Sequence, residues 1–307
     1  MCRFVAYHGP PIRLDELLYG PAHSIVKQST DARERPEPLN GDGWGVGWYE
    51  PERSPEPAVY REVRPAWGDE NMRRISPLVE TPVYVAHVRA ASPGLAVHER
   101  NCHPFPGGEH TLEDRRDRDP VVEGRQELLF AHNGAIGGYR DVVRRLREDL
   151  DDGHYFSIHG STDSEHAFAL VQQYLGDDAA DPSLADLVDA VEATIEHVER
   201  LRVDVGAGED PTDANFCLTD GERVVATRYA SECADAAQTL HVGEAGGFVA
   251  DGEYAGAVDP DDDAATLVAS EPLFEDDRVW RDVPRNHRVT VAADGTTRVD
   301  PLDVDVP

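Results

Sequence analysis

The order of periodic segments is the strongest constraint on what this chain folds into. Short runs with strand character occupy residues 3–7, 45–49, 58–63, 83–88 and 128–131, separated by turn residues. Helical spacing takes over at 139–150, 163–175 and 184–201, where Leu187, Val191, Ile195 and Val198 form one apolar stripe. Strand patterns return at 216–219, 224–227, 240–242, 267–269 and 288–291, with Gly and Asp turns between them. Strands, then helices, then strands predict a layered α+β fold, because the regular alternation that builds a doubly wound parallel sheet is missing. Two polar, aperiodic stretches, 107–126 and 259–265, read as surface insertions rather than linkers.

A length of 307 residues allows one large domain or two. Charge narrows the partners further. With 60 acidic against 29 basic residues and a net charge of -31, the chain repels nucleic acid and anionic membranes, so neither is expected as a partner. The acids are spread over several segments and lysine occurs only at Lys27, a pattern that reads as a solvating surface suited to high salt. The opening MCRFVAYHGP has no basic segment leading into an apolar run, and no stretch approaches the roughly 18 consecutive apolar residues of a membrane span. A cytoplasmic location is expected. Cys2, Cys102, Cys217 and Cys233 show no CxxC spacing, so reduced thiols are expected rather than a disulfide framework.

Four segments carry residue types suited to chemistry. Removal of Met1 would leave Cys2 with a thiol and a free α-amine, and an amine of pKa about 7.7 to 8.0 accepts a thiol proton near neutral pH. At 86–93 an apolar strand ends in Arg89 and Ser92, where the guanidinium either forks onto a carboxylate ligand or joins a surface ion pair. At 130–134 a strand runs into Asn133-Gly134, either a plain turn or an oxyanion hole made of the Asn133 amide and the Gly134 N–H. At 160–165 the sequence GSTDSE precedes a helical stripe; Ser161 or Thr162 fits an N-cap and Asp163 or Glu165 a first-turn acid, and an acid there equally fits a substrate ammonium.

Taken in order, these segments resemble the class II, or Ntn-type, glutamine amidotransferases. That family shows an N-terminal Cys, an Arg-x-x-Thr/Ser segment, Asn-x-His-Pro, His-Asn-Gly and a Ser/Thr-Asp-Thr/Ser-Glu segment. Here they are matched by Cys2, Arg89 to Ser92, Asn101 to Pro104, His132 to Gly134 and Thr162 to Glu165. The phrases NGDGWGVGW at 40–48 and VASEP at 268–272 resemble its standalone YafJ/EgtC-type subgroup, which includes the γ-glutamyl hydrolase of ergothioneine biosynthesis. The resemblance implies a four-layer αββα sandwich of the Ntn-hydrolase type and one catalytic domain over 1–307. It implies a Cys2 nucleophile, an oxyanion hole of Asn133 and Gly134, a carboxylate site at Arg89 with Ser92 beside it, and an ammonium site at Asp163. The implied substrate is glutamine or a γ-glutamyl amide, cleaved through a γ-glutamyl thioester, with no cofactor and no metal.

Three rivals stay open. Cys2, Cys102, His87, His103 and His132 form a metal site if they cluster, although no CxxC, HxxxH or HExxH pair is present. A regulatory module would keep the Arg89 and Asp163 clamp without needing a nucleophile. An ammonia-accepting synthase partner would turn hydrolysis into amidotransfer. Cys102, where Thr is more familiar in Asn-x-His-Pro, is expected to be a small buried residue.

Overall fold

Strand β1 (Arg3–Arg13), which directly follows Cys2, lies at the centre of the first of two antiparallel sheets. The computed structural model describes residues 2–91, 94, 96–107, 128–176, 181–231, 237–245, 248–251, 254–257, 265–276 and 278–306. The first sheet also contains β2 (Trp44–Trp48), β3 (Ala58–Glu62), β4 (Glu80–Val88), β9 (His241–Ala245), β12 (Ala265–Ala269) and β13 (Trp280–Asp282), in the order β13-β9-β12-β1-β4-β2-β3. The second runs β15-β14-β8-β7-β6-β5. Its strands are β5 (Phe105–Pro106), β6 (Leu129–Ala135), β7 (Asp213–Thr219), β8 (Val224–Ala230), β14 (His287–Val291) and β15 (Thr297–Pro301). Strands β10 (Phe248–Asp251) and β11 (Tyr254–Ala257) pair as a separate ribbon.

Side-chain alternation sorts the strands into layers. In β1, Val5 and Tyr7 pack with residues of α1 (Leu14–Leu18), α2 (Ile25–Asp31) and α3 (Glu70–Ile75), while Phe4 and Ala6 turn inward against the second sheet. On that sheet Ala131, Cys217, Val224 and Ala226 face back across the same layer. Its other face, with Phe130, Phe216, Leu218 and Val225, lies under α4 (Tyr139–Asp149), α6 (Asp163–Leu175) and α7 (Leu184–Asp204). The result is helix, sheet, sheet, helix, the αββα sandwich expected for the Ntn type. Phe130 fixes β6 to α6, with ring centroids 5.0 Å from Phe168 and 5.2 Å from Phe216; such pairs add roughly 0.5–1.5 kcal/mol each beyond burial.

Helices α1 to α3 fall where only strands and turns were expected. They are five, seven and six residues long, too short to show a helical period, and stretches this short are not stable alone. Caps and burial hold them. Ser24 Oγ accepts the Lys27 N–H at 3.3 Å, Asp69 Oδ1 accepts those of Asn71 and Met72 at 3.1 and 3.0 Å, and Leu14, Leu17, Leu18, Ile25 and Met72 are fully buried. Also unanticipated are α5 (Asp152–Phe156), the short strands β5 and β13, the β10–β11 ribbon and β15. Of the two expected insertions, 107–126 and 259–265, all but Gly107 and Ala265 lies outside the described residues, as does Cys233.

Candidate active site

The inward alternation that builds the central layer continues past its apolar part into a polar end. Cys2 precedes Phe4 and Ala6 on the inward face of the first chain segment, and Arg89 follows Val85 and His87 just beyond β4. Arg3 pairs with Val88, so the antiparallel register sets Cys2 opposite Arg89. Asn133 follows Ala131 on β6 of the facing sheet and shares its inward face. Three of the sequence-predicted residues thus converge from two sheets on one end of one layer. Cys2 is 9 % exposed, and its Sγ lies 3.7 Å from the Ala90 carbonyl oxygen.

Arg89 is buried, and its Nη1 donates to the carbonyls of Asp42 and Ala96 at 3.3 and 3.4 Å. Among the described residues no carboxylate pairs with it. Its backbone is clamped by the NGDG segment: the Arg89 N–H donates to Gly43 O and its carbonyl accepts the Asp42 N–H, both at 2.9 Å, while Asp42 Oδ2 accepts the Ala91 N–H at 2.8 Å. Gly43 is required there, with φ at +112° and the Cys102 sulfur 2.5 Å from where a Cβ would stand. Ser92, grouped with Arg89 in the sequence, lies outside the described residues.

Asn133 and Gly134 are not a plain turn: both lie within β6, opposite Asn215 and Ala214 of β7. Gly134 has φ at +151°, and a Cβ there would stand 2.0 Å from Asp213 O, so no other residue fits. The Asn133 Nδ2 donates to Ser270 Oγ at 3.4 Å, and its buried Oδ1 has no partner among the described residues. His132 points the other way, its ring nitrogens 2.9 Å from Ser164 Oγ and 3.1 Å from Asp213 O.

Asp163 opens α6, but the helix cap is Thr162, whose Oγ1 accepts the Glu165 N–H at 3.2 Å. The Glu165 carboxylate instead accepts the N–H groups of His159 and Gly160 at 2.8 and 2.7 Å. Asp163 is half-buried and latched onto the end of β6: Oδ2 accepts the Ile136 N–H at 2.8 Å and Oδ1 that of Ser164 at 2.9 Å. No cationic side chain pairs with it among the described residues.

Other polar residues shape the site without having been assigned a role from the sequence. Ser270 and Glu271 entered only as part of the VASEP signature. The buried Glu271 carboxylate is held by Arg3 Nε at 2.5 Å, His23 Nε2 at 2.7 Å and the N–H groups of Arg33 and Glu34 at 2.8 and 3.1 Å. Arg3 in turn donates Nη1 to the Cys2 carbonyl at 2.9 Å. Asn215, opposite Asn133, donates Nδ2 to Thr239 O at 3.0 Å. An acid two residues after a strand in a chain with 60 acids gives little sequence signal of such a role.

Cys102 is fully buried, as expected, and burial pushes its thiol up to about 11. The His87 and His103 ring centroids lie 4.3 Å apart with the planes tilted by 45°, and burial lowers both imidazoles, His87 to about 3. Among the described residues, no group of three or more His, Cys, Asp or Glu side chains is placed to hold a metal ion.

Comparison with known proteins gives the family. The family profile described as "Glutamine amidotransferases class-II" matches residues 29–301. The chain is 35 % identical to the probable glutamine amidotransferase DUG3 of Saccharomyces cerevisiae, over 95 % of this chain and 82 % of that protein. It is 26 % identical to the γ-glutamyl-hercynylcysteine sulfoxide hydrolase of Mycolicibacterium smegmatis, over 95 % and 96 % of the two chains. A class-II glutamine aminotransferase domain protein from Silicibacter pomeroyi shares the fold, with a TM-score of 0.61 and 22 % identity over 98 % of this chain and 99 % of that one. The chain belongs to the class II glutamine amidotransferases.

Proposed function

We propose that the chain is one catalytic domain that cleaves the γ-amide of glutamine or of a γ-glutamyl compound, with Cys2 as nucleophile. The observation that carries this is a pair of unmatched charges: the buried Arg89 cation lacks a carboxylate, and Asp163 lacks a cation, among the described residues. Leaving a charge buried without its partner is costly, and an amino-acid head supplies both partners at once, its carboxylate to Arg89 and its ammonium to Asp163. Beside Arg89, the Cys2 thiol loses its proton to its own α-amine, exposed once Met1 is removed, and attacks the γ-carbonyl carbon. The developing oxyanion takes hydrogen bonds from Asn133 Nδ2 and the Gly134 N–H. The amine passes the proton to the departing nitrogen, the C–N bond breaks, and water hydrolyses the γ-glutamyl thioester to free glutamate and thiol.

A panel of glutamine and γ-glutamyl amides, including γ-glutamyl thiols, tests the reading. Wild-type protein lacking Met1 is expected to release glutamate, and Cys2→Ala to lose at least about a thousandfold in turnover. A Cys2→Ala protein as active as wild type would sink the thiol mechanism. Transfer of ammonia to a synthase, the second reading within this family, would show as glutaminase activity that jumps when partner and acceptor are added.

A further inference from the structure

The proposed nucleophile and oxyanion donor sit on different sheets, so their separation depends on whatever fixes one sheet against the other at this end. Ser270 follows β12 and, two residues after the inward-facing Val268, turns its side chain into the same layer. Its hydroxyl oxygen accepts two N–H groups, Phe4 N at 3.0 Å from the strand next to Cys2 and Asn133 Nδ2 at 3.4 Å from the facing sheet. Its own N–H donates to Phe4 O at 3.0 Å, and its carbonyl accepts Thr239 Oγ1 at 2.8 Å. Ser270 is fully buried, so this geometry is unshared with solvent. The next residue, Glu271, is pinned by Arg3, His23 and two backbone N–H groups, which leaves the Ser270 backbone no slack.

We propose that Ser270 is a positioning residue, setting the Asn133 carboxamide against the strand that carries Cys2 so that the remaining amide N–H meets the oxyanion. The inference rests on the roles given above to Cys2 and Asn133. It acts only through Asn133, and that supplies its test. Ser270→Ala is expected to lower kcat for γ-amide hydrolysis roughly 10- to 100-fold, with KM within about twofold, since donor aim matters when the oxyanion forms rather than when substrate binds. In an Asn133→Ala background the same change is expected to cost less than about twofold, because the group it aims is gone.

A merely structural serine gives a different pattern, a full loss in both backgrounds. That result, or a Ser270→Ala enzyme with wild-type kcat, overturns the proposal. Ser270→Cys keeps the volume and a weak acceptor, so the same cycle run with it is expected to show a smaller loss of the same pattern even if the alanine variant melts too early to assay. Persistent turnover in Cys2→Ala would instead sink the underlying mechanism, and the two failures are told apart by which variant stays active.

Discussion

The layer between the two sheets ends differently at its two rims. At the rim away from Cys2, three contacts cross the layer: Tyr49 Oη donates to Thr219 O at 3.1 Å, the Thr266 and Thr297 hydroxyls lie 2.7 Å apart, and His8 Nε2 meets Glu222 O at 2.9 Å, although His8 Nδ1 is buried without a partner among the described residues. At the Cys2 rim, Arg89 has no counter-ion, and Asn133 Oδ1 and Asn215 Oδ1 are buried without partners among the described residues. An unmatched buried polar group costs about 1–3 kcal/mol. The unpaired buried cation is what separates the two rims: the Cys2 rim holds free energy in reserve for a ligand, while the other is tied across mainly by neutral hydrogen bonds.

Glu271 is the exception that anchors the costly rim, and removing it gives the largest expected change in stability. Burial alone would raise its carboxyl, but hydrogen bonds from His23 and the Arg33 and Glu34 N–H groups, with the Arg3 charge, outweigh that and hold it at about 2, against an ordinary 4.5. Because the folded value lies below the unfolded one, the stabilisation is complete above about pH 4.5 and is lost as pH falls toward 2, about 3 kcal/mol in all. Urea midpoints of wild type and Glu271→Gln, compared from pH 6 down to pH 3, are expected to differ most at pH 6 and converge on acidification. Parallel curves would remove Glu271 from its place in the comparison.

Arg89→Met separates the two rims more sharply. If the guanidinium waits for a substrate carboxylate, KM for glutamine rises roughly 30-fold, about 2 kcal/mol of lost charge-assisted hydrogen bonding, with kcat less affected. The same substitution removes a buried cation without stranding any described carboxylate, so the melting temperature is expected to hold or rise. A lower melting temperature with unchanged KM would make Arg89 a structural residue like those at the opposite rim.

The two rims were not equally legible in the sequence. The three long helices and most strands were, because their apolar periods extend over enough residues to be read; α1 to α3 are too short for that and owe their form to Asp69, Ser24 and the sheet beneath them. Cys2, Arg89 and Asn133 were legible as types at turns and strand ends, but only register shows that they share a face, since Cys2 meets Arg89 through the Arg3–Val88 pairing. From sequence alone Asp163 fits a first-turn acid or a ligand; the structure places it in the first turn of α6 behind the Thr162 cap, with its carboxylate at the end of β6. Ser270 and Glu271 were legible only as a signature, because the partners that tie them to the site, Asn133 and Arg3, lie more than 130 positions away in the chain.

The smallest expected effect belongs to the matched rim and closes the comparison from that side. Val291 on β14 is fully buried in the central layer and pairs with Val224 and Thr297, at the end opposite Cys2. Val291→Ala removes about two methylene equivalents from that layer, about 1.5 kcal/mol, and lowers the melting temperature by a few degrees. Turnover per folded molecule is expected to stay at the wild-type value, measured below the melting range, because no bond to Asn133, Arg89 or Cys2 runs through it. If kcat falls by the factor expected for Ser270→Ala, the sheets move as one body over their whole length and the division into a stable rim and a reactive rim fails.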